Sequence, residues 1–521
     1  MSLEGQRETI AFLSTPGVFG RCAGAAERID THLSIVWLAG DRAYKLKRAV
    51  RFDYVDFSTT ELRRIACEAE VRLNRRTAPA LYRGVRPVTR EADGSLALGG
   101  HGVPLDWLVE MARFDQDTLF DRLAESGRLD PALMDGLAEA IVRLHADAEP
   151  RPDRGGREAM ARVIEGNARG FAEQGATVLD HAACERLTAA ARAALDRGQD
   201  RVEARRRQGS VRWCHGDLHL RNICLLDGRP TLFDAIEFNE DIACVDVLYD
   251  LCFLLMDLWR RDLRSHASAV FNEYLARTAD LDGLALLPLF LSCRAAVRAK
   301  TSVTAARVQS DERQRRDLHA ASRQYLTLAQ AFLGPPPACV IAVGGLSGSG
   351  KSTLARGLAW GIGPPPGALI LRSDVIRKTL LGLTPATRLG PAGYSPAVSR
   401  QVYQTLAARA LTIVRAGHAV IVDAGYRIAG DREHMAAVAR DAGVPFVGLW
   451  IDGPPARLAE RLRGRSGDAS DATPDILQHQ LQAGVGRLDW YRLDGSLDAA
   501  GVKQRAEAHC RECQGQVAPC R

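Results

Sequence analysis

The sequence predicts an α+β region of two lobes, followed by an α/β region that is built on a parallel sheet. In the first half, residues 33–57 and 84–111 alternate like strands around a helical segment from about Thr60 to Arg76, and residues 117–207 follow a helical pattern. After residue 338, short apolar strands and helices alternate, which is typical of a parallel sheet. A chain of 521 residues is also too long for one hydrophobic core, so at least two domains are expected.

The best candidate for a domain boundary is the Gly-Pro-Pro-Pro stretch at residues 334–337. Proline cannot continue the preceding helical run, and the stretch has no side chains that could form a core. We therefore predict a first domain at 1–333, a linker at 334–337, a second domain at 338–497 and a C-terminal tail at 498–521. The strand-rich lobe of the first domain is expected at about 1–112 and its helical lobe at about 113–333.

Bulk composition narrows the classes of protein to consider. Apolar residues make up 46% of the chain and charged residues 25%, as in ordinary soluble globular proteins. The net charge of +6 is small and diffuse, so a nucleic-acid partner is not expected. Residues 1–17 lack the apolar core of a signal peptide, and no segment reaches the roughly 18 apolar residues that span a membrane. A membrane partner is therefore not expected. The twelve cysteines are scattered singly, which is typical of reduced thiols, so the sequence predicts a cytoplasmic protein.

The most specific motif is a glycine-rich loop between a predicted strand and a predicted helix. Residues 345–352, Gly-Leu-Ser-Gly-Ser-Gly-Lys-Ser, match G-x-x-x-x-G-K-[ST] at every position. In such a loop, backbone N–H groups surround phosphates at a helix N-terminus. We expect Lys351 to reach the β- and γ-phosphates and the Ser352 hydroxyl to bind Mg²⁺. The predicted nucleotide-binding residues are Gly345, Ser347, Gly348, Ser349, Gly350, Lys351, Ser352 and Thr353.

Asp374 lies just after the next predicted strand, Leu369–Arg372. The carboxyl ends of the strands in such sheets border the crevice in which ligands bind. There Asp374 could accept a proton from a substrate hydroxyl, and Arg377, one helical turn later, could bind an anionic group of the substrate. Alternatively, Asp374 caps the N-terminus of the following helix, and the two roles are compatible.

Two further features complete this region. The apolar strand Val420–Val422 ends in the carboxylate of Asp423, where a second contact to Mg²⁺ is expected, although a solvated turn is the alternative. The segment 455–465 is predicted to form a lid that supplies cations to the transferring phosphates. A solvated helix face is the rival interpretation. The arginines of this segment are Arg457, Arg461, Arg463 and Arg465.

These motifs resemble the P-loop class of small-molecule and nucleic-acid kinases, which includes gluconate kinase, chloramphenicol phosphotransferase, zeta-toxin-like kinases and the polynucleotide kinase domain. The resemblance covers about residues 338–495. It implies a P-loop NTPase fold that binds ATP, with Lys351 and Asp374 as catalytic residues and Arg461 and Arg465 at the nucleotide. It does not identify the acceptor.

A second signature lies in the first domain. Residues 213–222, Trp-Cys-His-Gly-Asp-Leu-His-Leu-Arg-Asn, are followed by Thr-Leu-Phe-Asp at 231–234. The pattern resembles the H-[GR]-D-x-x-x-x-N catalytic loop and the metal-binding Asp of protein-kinase-like enzymes, in the variant of aminoglycoside phosphotransferases and choline kinases. The resemblance implies that Asp217 deprotonates the acceptor hydroxyl, while Asn222 and Asp234 bind Mg²⁺.

The resemblance also implies three supporting residues around this loop. His215 is expected to brace the loop by hydrogen bonding. Asp246 and Asp250, four apart on the next predicted helix, resemble structural acidic residues of the family. Of these, Asp250 is expected to brace the catalytic loop.

The ATP-binding half of this domain has several candidates. In this fold a strand lysine binds the α- and β-phosphates and pairs with a helical Glu. Lys45 and Lys47 share one face of a predicted strand, so both remain candidates, with Lys45 preferred. Glu68 and Glu70 are the possible partners, with Glu70 preferred. Residues 108–111 are interpreted as the hinge strand, in which the backbone at Met111 would bind adenine.

One departure from the family pattern affects the expected activity. No G-x-G-x-x-G loop precedes the lysine strand. Related small-molecule kinases often lack this loop too, so ATP binding is still expected over the region of resemblance, about residues 25–330. The departure makes the first domain the better candidate for a non-catalytic role.

The C-terminus carries His509, Cys510, Cys513 and Cys520. These side chains offer the four nitrogen and sulfur ligands of a structural zinc site. Their short, polar and terminal context favours a frayed tail instead.

The whole chain resembles bacterial fusions of an aminoglycoside-phosphotransferase-like domain with a P-loop kinase domain. It is therefore predicted to be a bifunctional enzyme that transfers the γ-phosphoryl group of ATP, with Mg²⁺, to hydroxyls of small-molecule acceptors. One alternative is a nucleotide-sensing regulator with one catalytically silent domain. Another is a P-loop kinase that acts on nucleic-acid ends, although its site lacks the interleaved aromatic residues that this would favour.

Overall fold

A computed structural model describes residues 6–20, 26–52, 54–173, 175–384, 387–464 and 470–515. The chain divides into two compact units. Unit 1 comprises Met1–Glu173 and Leu195–Asp257, and unit 2 comprises Gln174–Ala194 and Leu258–Arg521. The linker predicted at 334–337 therefore lies within unit 2, and the helices that precede it are grouped with the sheet that follows it.

Unit 1 contains a six-stranded antiparallel sheet in the order β1-β2-β3-β8-β6-β7. Its strands are β1 (Glu27–Asp30), β2 (Ser34–Ala39), β3 (Arg42–Lys47), β6 (Tyr82–Arg90), β7 (Leu96–Leu98) and β8 (Val103–Ala112). Three two-stranded pairs are formed by β4 (Arg51–Phe52) with β5 (Val55–Asp56), β9 (Val211–Trp213) with β12 (Cys244–Asp246), and β10 (Ile223–Leu226) with β11 (Arg229–Leu232).

The helices of unit 1 include those predicted at about 60–76 and within 117–207. They are α1 (Arg7–Leu13), α2 (Thr60–Asn74), α3 (Phe120–Glu125), α4 (Leu133–Asp147), α5 (Gly156–Glu173) and α7 (Glu240–Ala243), together with parts of α6 (His181–Arg207) and α8 (Val247–Arg260). Helix α8 begins at Val247, because Cys244–Asp246 pairs with β9 as a strand, so Asp246 precedes the helix on which it was predicted.

Both faces of the main sheet of unit 1 are covered by apolar side chains. On one face, Cys67 and Val71 of α2 pack against Val109 of β8. On the other face, Leu13 of α1 packs against Trp37 of β2. Helix α2 begins at an N-cap, where the Thr59 side chain accepts a hydrogen bond from the Leu62 N–H group. This packing fixes α2 beside the strand that carries Lys45 and Lys47.

Unit 2 contains a five-stranded parallel sheet in the order β14-β15-β13-β16-β17. Its strands are β13 (Val340–Gly345), β14 (Leu369–Arg372), β15 (Val420–Asp423), β16 (Phe446–Asp452) and β17 (Tyr491–Asp494). Its helices are α9 (Arg264–Thr278), α10 (Leu287–Val308), α11 (Glu312–Leu333), α12 (Lys351–Ala359), α13 (Ser373–Leu380), α14 (Pro396–Arg415), α15 (Ala429–Ala442), α16 (Pro455–Arg463), α17 (Pro474–Ala483) and α18 (Ala499–Gly515). The antiparallel α+β arrangement of unit 1 and this parallel sheet confirm the predicted fold class.

The C-terminal segment differs from the expected tail. Within residues 498–521, helix α18 spans Ala499–Gly515. Val502, Ala506 and Cys510, which follow one another at intervals of four residues, are buried in the same core as strands β13 and β16. Such spacing places apolar side chains on one helix face. The helix therefore belongs to the fold of unit 2 along its described length.

Helix α9 completes the edge of the parallel sheet. Strand β14 is the outermost strand on its side, so one row of its backbone groups has no neighbouring strand. The Asn272 side chain of α9 accepts a hydrogen bond from the Ile370 N–H group at 2.7 Å and donates one to the Ala368 carbonyl at 3.2 Å. Exposed sheet edges can pair with other strands, and here the Asn272 amide forms the hydrogen bonds that a neighbouring strand would form with residues 368 and 370.

We expect Asn272→Leu to loosen strand β14, because the Ile370 N–H group then loses its acceptor. A part-buried donor without a partner costs about 1–3 kcal/mol, which corresponds to about 5- to 150-fold faster amide exchange if the strand opens locally. Hydrogen exchange followed by mass spectrometry on peptides that cover residues 366–372 measures this. Arg277→Ala, at a half-exposed position on the same helix, is the control and should leave this exchange unchanged. If Asn272→Leu exchanges at the wild-type rate, the Asn272 contact does not stabilise the sheet edge.

Across the described ranges, each helix is either too short or too polar to cross a membrane.

Candidate active sites

The catalytic loop predicted in unit 1 connects β9 to β10. The Asn222 side chain turns back over this loop and donates from Nδ2 to the Asp217 carbonyl at 2.9 Å and to Asp217 Oδ2 at 3.1 Å. His219 Nε2 lies 3.2 Å from the same Asp217 oxygen. The structure therefore brings the two predicted loop residues together and adds a histidine that the sequence did not single out.

Asp250 and His215 brace this loop as expected. Asp250 is fully buried in α8, where its carboxylate accepts hydrogen bonds from the Gly216 N–H at 2.8 Å and the His215 N–H at 3.1 Å. The His215 ring, at Nε2, lies 2.9 Å from the Phe233 carbonyl, next to Asp234. Asp246 has a different partner, since it forms a bidentate ion pair with the buried Arg205.

Two lysines of β3 and three acidic side chains form a continuous chain of ion pairs. Lys45 Nζ lies 2.9 Å from Glu70 Oε1 and 2.6 Å from Asp234 Oδ1. Lys47 Nζ lies 2.6 Å from Glu70 Oε2 and also pairs with Glu237. The two lysines share a strand face because they are two residues apart. They differ in access, since the Lys45 side chain is 15% exposed and the Lys47 side chain only 2%.

Glu70 is the acidic centre of this chain. Burial raises the pKa of its carboxyl group, but the ammonium groups of Lys45 and Lys47 outweigh burial and lower this pKa to about 2. Glu70 is therefore ionised throughout the neutral pH range. The rival candidate, Glu68, points to solvent and pairs with Arg64 at 2.6 Å, so it does not contact either lysine.

Two residues that the sequence interpretation missed complete the surroundings of Asp234. The Tyr82 hydroxyl accepts a hydrogen bond from the Asp234 N–H group at 3.1 Å, and Asp234 adopts a left-handed backbone with φ of 60°. Glu237 follows three residues later and reaches Lys47. The sequence feature that could have predicted this buried ion pair is the position of Glu237 between two apolar residues, Ile236 and Phe238.

Met111 lies near the end of β8, where it pairs with Ala43 of β3 and Tyr82 of β6. Its side chain packs against the apolar cluster beneath α2. The backbone at Met111 is thus held beside β3, the strand that carries Lys45 and Lys47. The role of Met111 at adenine stays a prediction.

In unit 2, the glycine-rich loop runs from the end of β13 to the start of α12. Gly348 and Gly350 have positive φ angles of 82° and 95°, a conformation that side chains disfavour. Lys351 Nζ donates a hydrogen bond to the Leu346 carbonyl at 2.9 Å, which folds the side chain back over the loop. Among the described residues, the buried Ser349 hydroxyl has no hydrogen-bond partner. Thr353 follows in the first turn of α12.

Ser352 and Asp423 meet at the carboxyl ends of β13 and β15. The Ser352 hydroxyl lies 2.5 Å from Asp423 Oδ2, and Arg372 Nε lies 3.5 Å from the same oxygen. Asp423 is 5% exposed, so it does not behave as a solvated turn residue. A hydroxyl and a carboxylate are the hard oxygen ligands that Mg²⁺ prefers, so these two residues fit the predicted metal site.

Asp374 lies in the first turn of α13. The helix begins at Ser373 with Arg372 as its N-cap, so the interpretation of Asp374 as the cap is wrong. Burial, followed by the nearby charge of Asp423, raises the pKa of Asp374. Ser470 donates a hydrogen bond to its carboxylate, and the Lys351 charge also acts on it. The structure thus brings Asp374 into the neighbourhood of Asp423 and Lys351.

Arg377 is turned inward. Its side chain is buried, with Nη1 donating to the Gly393 carbonyl at 2.9 Å and to Ser399 Oγ at 3.2 Å, and its guanidinium lies 4.8 Å from the centre of the Tyr394 ring. These contacts hold residues 391–399 against α13. A role for Arg377 in substrate binding stays a prediction.

Two of the lid arginines contact the loop after β17. Arg461 donates to the Gly495 carbonyl at 3.1 Å and Arg457 donates to the Ser496 carbonyl. With Leu497 they line a cavity of about 290 Å³. Arg463 is exposed, and Arg465 lies outside the described residues.

Three of the four residues considered as alternative zinc ligands at the C-terminus lie in the described part of the chain. Cys510 is buried in the core, while Cys513 Sγ lies 3.6 Å from His509 Nε2. The His509 ring stacks on Tyr491 with centres 3.9 Å apart. Cys520 lies outside the described residues.

Two segments of the chain match known protein families by sequence. Residues 42–287 match the phosphotransferase enzyme family, and residues 340–485 match the AAA domain family. The two predicted domain types are thereby confirmed, in the predicted order. An uncharacterised protein of Mycobacterium tuberculosis is 29% identical over 487 residues, which is 92% of this chain and 93% of that protein.

Solved structures show partial similarity. An ethanolamine kinase of Plasmodium vivax is 12% identical and aligns over 59% of this chain and 82% of its own, with a TM-score of 0.38. A sugar kinase of a Janibacter species is 22% identical and aligns over 35% of this chain and 99% of its own, with a TM-score of 0.26.

Proposed function

We propose that this chain, in which a phosphotransferase-family domain precedes an AAA domain, is a bifunctional ATP-dependent phosphotransferase. Each centre would transfer the γ-phosphoryl group of ATP to a hydroxyl of a small-molecule acceptor and release ADP. The observation that carries the proposal is the cluster in unit 1, where Lys45 joins Glu70 to Asp234 and Asn222 turns back onto Asp217.

In the first centre, Asp217 is proposed as the general base. It accepts the hydroxyl proton as the acceptor oxygen forms its bond to the γ-phosphorus, and the bond from that phosphorus to the β–γ bridging oxygen breaks. Asn222 donates to Asp217 through Nδ2, which leaves its amide oxygen as a ligand, with the Asp234 carboxylate, that would hold a metal ion. Bound Mg²⁺ would neutralise charge on the phosphates.

Lys45 is proposed as the phosphate-binding lysine of the first centre. It is the more exposed of the two candidates, and its ammonium group lies against Asp234, the proposed metal ligand. Lys47 is enclosed by Glu70 and Glu237, so it would serve to hold the loop after Asp234. Met111 is proposed to present its backbone to adenine.

In the second centre, Asp374 is proposed to accept the proton of the acceptor hydroxyl. Burial raises its pKa, which makes this carboxylate a stronger base toward the acceptor proton. Lys351 would bind the β- and γ-phosphates, while Ser352 and Asp423 would hold Mg²⁺. The glycine-rich loop, Thr353 and the lid arginines Arg461 and Arg465 would complete the nucleotide site, and Arg377 the acceptor side.

The test is phosphoryl transfer from γ-labelled ATP into a bacterial metabolite extract. Wild type, Asp217→Ala and Lys351→Ala are compared on the full chain, with Asp441→Ala, an exposed position on α15, as the control. If the proposal holds, each site variant removes a different labelled product and the control removes none.

Other outcomes discriminate between the functions. Loss of labelling in Lys351→Ala alone would favour the account in which the first domain is a nucleotide-sensing regulator. A labelled product that is a nucleic-acid end would favour the polynucleotide alternative. Absence of any labelled product in wild type would contradict the enzymatic proposal.

A further inference from the structure

Helices α16 and α17 pack directly on the first half of the glycine-rich loop. Leu346 of the loop packs against a cluster that contains Leu458 and Leu462 of α16 and Leu477 of α17. At Gly348 the approach is so close that an added Cβ would lie 2.5 Å from the Leu458 carbonyl oxygen. Only glycine fits at that position.

Between these two contacts, Ser347 is held by the Gln480 side chain of α17. The Ser347 N–H group donates to Gln480 Oε1 at 2.9 Å, and Gln480 Nε2 donates to the Ser347 hydroxyl oxygen at 3.0 Å. Three successive loop residues are therefore fixed by α16 and α17, while Gly350, Lys351 and Ser352 lie beyond this contact.

The direction of these hydrogen bonds determines what the Ser347 hydroxyl can do. The N–H group of Ser347 can only donate, so it selects the oxygen of the Gln480 amide and leaves the NH₂ group to face the hydroxyl. A hydroxyl that accepts from this NH₂ group keeps its own hydrogen for another acceptor. The acceptor that a glycine-rich nucleotide loop encloses is a phosphate oxygen.

We propose that Gln480 is a positioning residue for nucleotide binding at the second centre. It orients the Ser347 hydroxyl so that its hydrogen is available to a phosphate oxygen of ATP, and it couples α17 to the loop. This inference rests on the proposed ATP-binding function of the loop. It assigns Gln480 no contact with the reacting atoms.

Two substitutions of Gln480 separate this role from simple packing. Gln480→Ala removes both hydrogen bonds and should weaken ATP·Mg²⁺ binding about 3- to 15-fold, as expected for the loss of one or two neutral hydrogen bonds. Gln480→Glu keeps the size and the bond from the Ser347 N–H, but a carboxylate can only accept. It therefore captures the hydroxyl hydrogen and adds negative charge near the phosphates, so binding should weaken more, about 30- to 100-fold.

The experiment is calorimetric titration of the full-length protein with ATP·Mg²⁺. The signal of interest is the binding component that Lys351→Ala removes, because the first centre contributes its own. Gln478→Glu, the same change at an exposed position two residues earlier on α17, is the matched control and should bind as wild type does. In a double-mutant cycle, Ser347→Ala with Gln480→Ala should weaken binding little more than either change alone.

Each outcome has a separate meaning. Equal binding by Gln480→Ala, Gln480→Glu and wild type, with the Lys351-dependent component intact, would overturn the inference and leave the proposed function standing. Equal weakening by Gln480→Glu and Gln478→Glu would also overturn it, because the effect would then be one of charge on the helix. Absence of any component that depends on Lys351 would overturn the ATP-binding function itself.

Discussion

Asp374→Asn is expected to lower kcat for phosphoryl transfer at the second centre by about 10²- to 10⁴-fold, the usual contribution of a general base. Asparagine has nearly the same shape and can still accept a hydrogen bond from Ser470, so the fold around α13 should persist. It cannot take up the acceptor proton. The measurement is the initial rate of the product that Lys351→Ala abolishes, at saturating ATP.

The control for this prediction is Asp475→Asn, which changes an exposed carboxylate on α17 and should leave the rate unaltered. ATP binding by Asp374→Asn should remain close to that of wild type, since the proposed role lies in proton transfer. An unchanged kcat in Asp374→Asn would assign Asp374 a structural role and remove it from the mechanism.

Glu70→Gln is expected to destabilise unit 1 by about 3–5 kcal/mol, the cost of removing one partner of a buried ion pair. Glu70 is the shared partner of Lys45 and Lys47, and Lys47 is almost fully enclosed. Lys45 keeps Asp234 and Lys47 keeps Glu237, but a neutral amide cannot replace the carboxylate that the two ammonium groups share. The loss should appear as reduced protection of β3 and α2 in hydrogen exchange of the full-length protein, which reports unit 1 separately from unit 2.

Two comparison variants sharpen this prediction. Glu68→Gln changes the exposed neighbour that pairs with Arg64, and it should alter stability by no more than about 0.5 kcal/mol. Lys47→Met combined with Glu70→Gln and Glu237→Gln removes the enclosed charge and its partners together, so it should recover part of the loss. Wild-type protection in Glu70→Gln would show that the ion-pair chain does not stabilise the lobe.

The two signature motifs could be predicted from the sequence because each is local. The glycine-rich loop at 345–352 needs only a strand before it and a helix after it, and both follow from the pattern of apolar residues. The same holds for Asp217, Asn222 and Asp234, which lie on one loop and the hairpin that follows it. A short spacing fixes which side chains can meet, so motif and geometry agree here.

The sequence left two pairs of alternatives open, for different reasons. Lys45 and Lys47 lie on one face of β3, so strand periodicity cannot distinguish them. Glu68 and Glu70 are two apart on α2 and therefore lie on different sides of the helix, but which side faces the sheet depends on the tertiary structure. Their difference comes from what packs against them. Asp234 returns to Lys45 from a position 189 residues away, and Glu70 faces the sheet while Glu68 faces solvent.

The sequence by itself determined the order of the two domains, a phosphotransferase-family domain before an AAA domain, the fold class of each and the residues of the two motifs. Only the tertiary structure decided the direction of side chains whose partners are distant in the chain. Arg377 turns inward to Gly393, and Gln480 reaches Ser347 across 133 residues. The physical reason is that a motif records which groups a short stretch offers, whereas burial and hydrogen bonding depend on segments that the fold brings together.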